Sequence, residues 1–313
     1  VAPSLVLVTG ATGQVGSALV RRLTARGVPV RCLVREPRRL GDERVRVQIA
    51  LGDLTDPPSF RNALRGVGAV VHLAASGRDQ LGGSIEELNA IATWRMVEAA
   101  ERAGAERFVF FSALGASTHH RTRLHRSKAL AERVVRESAL TTTVFAPSLI
   151  YARGGRWLGL HARLALLPVA PMSGLGRARF QPLWAQDAAD CVVAALGAAT
   201  PPPRVELAGP ETLTHAEMVR VAARGRPVLP VPVPVSRAAL RLTETALRMA
   251  APYTWDEAEV LEVPMVSSSG SAGCERLGVR PRRMADVLGR VASGHHPDAR
   301  APTPWMIEPA SEP

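Results

Sequence analysis

At 313 residues, 46% of them hydrophobic, the chain can bury a large core without metal or disulfide support. Its three cysteines, Cys32, Cys191 and Cys274, are odd in number and far apart, which excludes a disulfide framework and points to reduced thiols in the cytoplasm. The net charge of +11 invites a nucleic-acid partner, but only 4% of residues are aromatic, the basic residues are scattered, and no helix-turn-helix, zinc-ligand or RNA-binding signature occurs, so none is expected.

Along the first two hundred residues, short apolar runs alternate with longer helical patterns. Strands are expected at Leu5–Thr9, Val28–Val34, Val45–Ala50, Ala69–Leu73, Arg107–Ser112 and Thr142–Ala146, with helices between them at Gln14–Arg26, Pro58–Arg65, Ser84–Ala103 and Leu124–Glu137. That alternation implies βαβ crossovers and a parallel sheet covered on both faces. A helix at Asp187–Leu196 and a strand at Arg204–Leu207 complete the sheet. Further helices are expected at His215–Ala223, Arg237–Met249 and Trp255–Leu261, among prolines at 201–203 and 227–234. The expected fold class is α/β: a doubly wound parallel sheet of about seven strands, order 3-2-1-4-5-6-7, with a small C-terminal lobe. Residues 1–150 and about 183–208 form the dinucleotide-binding domain, about 151–182 and 209–294 the lobe, and 295–313 an irregular tail. The stretch from Trp157 to Gly174 is apolar, but His161, Arg163, Pro168 and Pro171 interrupt it, so no integral membrane span is expected. No signal peptide is visible at the N-terminus.

The chemistry begins at Thr9-Gly10-Ala11-Thr12-Gly13-Gln14-Val15-Gly16, where a strand turns tightly into a helix. Glycine is needed where the backbone takes positive φ, approaches a pyrophosphate, or packs helix on strand, and the helix start offers free N–H groups to phosphate. With its G-x-x-G-x-x-G spacing the loop resembles that of the extended and atypical short-chain dehydrogenase/reductases. The likeness continues in order through Gly52-Asp53-Leu54, His72-Leu73-Ala74-Ala75, Ser112-Ala113 and Ala146-Pro147-Ser148-Leu149-Ile150-Tyr151. Leu33-Val34-Arg35-x-Pro and Phe180-Gln181-Pro182-Leu183 look most like the NmrA-like and complex I accessory-subunit-like branch. The resemblance implies an NAD(P) site: Gly10, Thr12, Gly13, Gln14, Val15 and Gly16 at the phosphates, Asp53 and Leu54 at the adenine, and Ala74, Ala75, Pro147 and Ile150 along the rest of the cofactor.

The second strand ends in Arg35, where NAD-selective domains carry an acid for the ribose 2′-hydroxyl; an Arg suits a 2′-phosphate, so NADP(H) is favoured over NAD(H). Arg38 and Arg39 follow within reach, and Glu36 could still meet a hydroxyl. The family's carbonyl reductases use Tyr-x-x-x-Lys on the helix after the fifth strand, with a Ser at that strand's end. Here Lys128, the only lysine of the chain and by the resemblance the residue that binds the cofactor at its nicotinamide ribose, and Ser112 fit, but Leu124 stands where the tyrosine belongs and cannot donate a proton. His125 is the first substitute acid to consider, with His119, His120 and Tyr151 behind it. Asn89 falls mid-helix, where some relatives place a structural Asn, with a surface polar residue as the alternative. No metal-ligand spacing and no G-x-S-x-G elbow occur. The sequence therefore leads to an NAD(P)-binding protein with weak or specialised oxidoreductase activity, on a quinone-like acceptor or through His125. The alternatives are a non-catalytic NADP(H)-holding module, structural or redox-sensing, with room for a protein partner, and a sugar-nucleotide epimerase or dehydratase.

Overall fold

The computed structural model describes residues 5–164, 166, 168–223 and 225–289; the expected irregular tail lies outside them. The first half runs β1 (Val6–Thr9), α1 (Gln14–Ala25), β2 (Val30–Val34), β3 (Gln48–Leu51), α2 (Pro57–Phe60), β4 (Ala69–His72), α3 (Ala92–Arg102), β5 (Arg107–Phe111), α4 (Arg123–Glu137) and β6 (Thr141–Pro147). The second half runs β7 (Ile150–Tyr151), α5 (Arg156–Leu164), β8 (Ala170–Ser173), β9 (Arg179–Phe180), β10 (Leu183–Trp184), α6 (Ala185–Gly197) and β11 (Arg204–Leu207). It ends with β12 (Leu213–Thr214), α7 (His215–Ala222), β13 (Val228–Val231), α8 (Val233–Leu247), α9 (Trp255–Val260), α10 (Ala272–Arg276) and α11 (Met284–Leu288).

Seven strands pair in the order β11-β6-β5-β4-β1-β2-β3, all parallel, which is the expected 3-2-1-4-5-6-7 with β11 as the seventh. Because successive strand side chains point to opposite faces, Val6 and Val8 pack with Val15 and Leu19 of α1 and Val192 of α6, while Leu7 packs on the other side. That other core takes Met96 and Val97 from α3 and Ala131 and Val135 from α4. Central strands buried on both faces read as unbroken apolar runs, as Phe108-Val109-Phe110-Phe111 does. The chain builds outward from β1 through β2 to β3 and then crosses back to β4 on the other side of β1, and this reversal opens a crevice at the strands' C-terminal ends.

Three expectations need adjusting. Strand β3 starts at Gln48 instead of Val45, because Pro37–Val45 forms a 3-10 segment bent at Gly41, whose φ of 59° breaks the run. The helix expected at Ser84–Ala103 carries a π turn at Glu87–Ile91. Three two-stranded ribbons (β7 with β10, β9 with β12, β8 with β13) and helices α5, α10 and α11 went unread, since strands of two to four residues and helices of five to nine carry little period to detect. These elements surround a third apolar core of Tyr151, Trp157, Met172, Phe180, Trp184 and Met218, which meets Ala113 and Leu114 at the end of β5.

Candidate functional site

The glycine loop shapes the crevice. Gly10 sits at φ +66°, and a Cβ there would fall 2.7 Å from the Ala74 nitrogen, so the turn requires glycine twice over. A Cβ on Gly16 would fall 2.1 Å from the Gly10 carbonyl oxygen, so Gly16 lets α1 seat against the loop. Gly13 is exposed, caps α1 with ordinary extended backbone (φ −79°) and brings no capping side chain, leaving the first turn's N–H groups to an outside anion.

From this loop a cleft runs past the end of β2 to the loops after β3 and β4, lined among others by Gly10, Thr12, Gly13, Arg35, Asp53, Leu54, Ala74 and Ala75. Glu36 and Arg39 also line it; Arg38 does not. Asp53 uses Oδ1 to accept from the Thr55 N–H and hydroxyl, at 2.9 Å each, while Oδ2 lies 3.8 Å from Arg35 Nη1. Arg35 Nη2 donates to Gln80 Oε1 at 3.5 Å, and its side chain stays 56% exposed, so the guanidinium remains free to turn toward an anion. Gln14, with Thr12 and Gly13, borders a neighbouring cavity against Arg21 and the 152–155 loop.

A buried polar chain supports the cleft floor. Thr93 donates to the Asn89 carbonyl at 2.5 Å, so its single hydroxyl proton is committed and it accepts from His72 Nε2 at 3.1 Å. His72 Nδ1 then accepts from Thr9 at 2.9 Å, and Thr9 in turn accepts from the Ala74 N–H at 3.3 Å. Burial, and then the nearby Lys128 ammonium, pulls His72 down to about 3, keeping it neutral. Asn89, fully buried, donates from Nδ2 to the carbonyls of Ser76 (2.8 Å) and Ile85 (2.7 Å) and accepts from the Ser76 N–H at 3.2 Å. It is thus the structural Asn and not a surface residue, and its clamp on Ile85 coincides with the π turn.

The residues named for catalysis lie outside both cavities. Leu124 is half-buried on the third core, at the start of α4. Lys128 is 5% exposed, donates to the Phe111 carbonyl at 2.6 Å and lies 4.8 Å from the Phe110 ring centroid; burial pulls its ammonium down to about 7. Ser112 donates to Glu132 at 2.8 Å, and Arg204 holds the other oxygen of that carboxylate at 3.0 Å. His125 is fully buried, bonds Thr122 through Nδ1 at 2.7 Å and stacks on His120 with ring centroids 4.1 Å apart. Burial, and then His120, brings it down to about 4, so it carries no proton to give near neutrality. Tyr151 is buried beside Trp184, its phenol pushed above its usual range by burial. Val15 and Gly16 are buried behind the loop, the Pro147 carbonyl accepts from Leu114 N–H at 2.9 Å, and Ile150 packs on the α1–α6 core.

Comparison with known proteins fits this geometry. The profile of a family described as NAD(P)H-binding matches residues 10–156. The NAD(P)H azoreductase of Xenophilus azovorans is 30% identical over 252 residues, covering 76% of this chain and 80% of that one. The chain belongs to the NAD(P)H-binding family of atypical short-chain dehydrogenase/reductases. Subunits of mitochondrial NADH dehydrogenase are among its homologues. Photosystem II assembly factor Ycf39 of Cyanophora paradoxa is 31% identical over 141 residues, which is 45% of this chain and only 44% of that protein. The NADPH-dependent quinone oxidoreductase of Escherichia coli, solved with NADPH, shares the fold with a TM-score of 0.70 at 19% identity, over 91% of this chain and 98% of that one.

In family terms the chain binds a nicotinamide dinucleotide, and the structure brings Gly10, Thr12, Gly13, Arg35, Asp53, Leu54, Ala74 and Ala75 of the expected site into one cleft. Reading the residues missed Ser76, Gln80 and Leu88, which line the cleft from the loop after β4. Only Asn89 hinted at that loop, through a polar side chain on a helix face that must be buried. No helix among the described residues is long and apolar enough to cross a membrane, and no group of three or more His, Cys, Asp or Glu among them could hold a metal.

Proposed function

We propose that the chain binds NADP(H) and passes hydride to an acceptor of quinone type, with little activity on ordinary carbonyls. One observation carries this reading: Leu124 replaces the family's proton donor, and its neighbour His125 is buried, stacked and neutral. Hydride transfer to a carbonyl carbon leaves an alkoxide that needs a positioned acid, worth about a hundred- to ten-thousandfold in rate. Hydride transfer to a quinone leaves a hydroquinone monoanion, a phenolate with a pKa near that of tyrosine (about 10) that takes its proton from water. The azoreductase likeness supports a reducible acceptor other than a simple carbonyl. NADP(H) is favoured by Arg35 and Arg39 on the cleft wall, where a guanidinium fork suits a 2′-phosphate.

A second reading, a non-catalytic NADP(H)-holding module, is favoured by the commitment of Ser112 to Glu132 and of Lys128 to the Phe111 carbonyl. NADPH oxidation, followed with benzoquinones and then with aldehydes and ketones, separates the two. Turnover with quinones and negligible rates with carbonyls is expected. Robust carbonyl reduction would overturn the proposal, and NADPH binding without turnover on any acceptor would favour the holding module.

A further inference from the structure

Helix α8 (Val233–Leu247) has no buried residue, although five aliphatic residues recur along it at helical spacing. At 3.6 residues per turn, Val235, Ala239, Leu242 and Ala246 fall within an arc of about 60°, and Ala238 widens the same face. The structure turns this face to solvent: Val235 is 56% and Leu242 71% exposed, and the three alanines are exposed too. The half-buried residues Val233, Ser236, Leu240, Thr243 and Glu244 point the other way. A packed helix normally buries its apolar stripe and shows its charges. Here that arrangement is inverted.

Further aliphatic residues are exposed just ahead of the helix. Leu229 on β13 is 51% exposed, and Leu175, 59% exposed, borders the groove that also takes in Pro230–Val233.

The charges on α8 are sorted by sign. Arg237 and Arg241 lie on a second exposed row about a third of a turn from the stripe, Arg237 with its guanidinium 5.4 Å from the Trp255 ring centroid, and Arg248 follows as the exposed C-cap at φ 48°. The only carboxylate of the helix, Glu244, turns inward and accepts from the Trp255 N–H at the start of α9. The outward charge of the helix is therefore wholly positive, on a chain of net charge +11.

We propose that α8 is an interfacial helix that lies on an anionic lipid surface. The apolar stripe would sink to the headgroup boundary, and the arginines would reach sideways along their aliphatic stems to lipid phosphates. At 15 residues the helix is too short to span a bilayer. A second copy of the chain is a poorer occupant, because pairing two α8 faces would bring two arginine rows together.

The test is co-sedimentation of the full chain with vesicles of phosphatidylcholine alone or mixed with phosphatidylglycerol, at low and high salt. Binding is expected only with the anionic lipid and should weaken as salt screens the arginines. Val235→Glu combined with Leu242→Glu should lower partitioning by at least about tenfold, as should Arg241→Gln combined with Arg248→Gln in part. Neither pair lines the dinucleotide cleft, so cofactor affinity should stay unchanged and serves as the check on folding. No binding to anionic vesicles at low salt overturns the proposal, as does binding that survives the double Glu variant. Self-association of the unmodified chain that the double Glu variant abolishes, without vesicle binding, would assign the face to a second copy. Vesicle binding that appears only after removal of residues 290–313 would assign it to that segment.

Discussion

Removing the Asn89 side chain would strip three buried backbone groups of their partners: the Ser76 N–H and the carbonyls of Ser76 and Ile85, held at 3.2, 2.8 and 2.7 Å. Asn89 is fully buried, so water does not reach the vacated positions without rearrangement. Leaving a buried polar group unsatisfied costs about 1–3 kcal/mol, and part of that is recovered as the loop relaxes, so Asn89→Ala should cost about 3 kcal/mol. In a chain of 313 residues that lowers the melting temperature by about 4–5 °C. Ser76 also lines the dinucleotide cleft, so cofactor affinity should fall along with stability. Asn89→Asp separates packing from hydrogen bonding. It keeps the shape and the bond from Ser76 N–H but sets a carboxylate oxygen against two carbonyls, and should be at least as damaging as Ala. Thermal melts and calorimetric titration of both variants decide the matter. An Asn89→Ala protein that melts within about 1 °C of the unmodified chain would refute the reasoning, since at the magnitudes above that corresponds to less than about 1 kcal/mol.

Two further outcomes follow from the same structure. Gly13→Val suits the local φ of −79°, sets its Cβ 3.1 Å from the Gly10 carbonyl oxygen, which must give by a few tenths of an ångström, and places a side chain over the exposed helix start; it should fold and bind dinucleotide at least about tenfold more weakly, or about 1.4 kcal/mol, by titration calorimetry. Acid should destabilise the fold early. His72 is held at about 3, and His125 and His215 at about 4, each chiefly by burial. Their folded values lie below the unfolded value, so the unfolded chain binds more protons: the stability they contribute is complete above about pH 6.5 and is lost as pH falls toward 4 and 3. Each adds a slope of up to about 1.4 kcal/mol per pH unit. Urea denaturation across pH 7 to 4 should show this loss, and His215→Phe should remove about a third of it; a pH-independent midpoint over that range would contradict it.

The sheet order was readable because each central strand is apolar along its length and each crossover helix carries a 3.6-residue period, so length and pattern agreed. The glycine loop was readable because the backbone demands on Gly10 and Gly16 leave a chemical trace in the sequence. Lys128 illustrates the opposite case. Its rarity marked it as important, but no pattern could reveal that its ammonium is bonded to the Phe111 carbonyl beneath the site. The setting of His125 was hidden for the same reason: helical spacing placed it near Lys128, while its burial and its stacking on His120 depend on tertiary packing. The third core was illegible because it is assembled from ribbons two to four residues long and from helices brought together across a hundred residues of chain.

The central claim is that the cleft at the end of β2 and beside the glycine loop takes a dinucleotide and uses Arg35 to prefer the phosphorylated one. Calorimetric titration of the unmodified chain and of Arg35→Ala with NADPH and with NADH tests it directly. The unmodified chain should bind NADPH at least about tenfold more tightly than NADH. Arg35→Ala should lose most of that margin, a charge-assisted contact of about 1.5–3 kcal/mol, while keeping its NADH affinity. Equal affinity of the unmodified chain for the two cofactors, or a preference for NADH, would contradict the role given to Arg35, and the absence of binding to either would contradict the site itself.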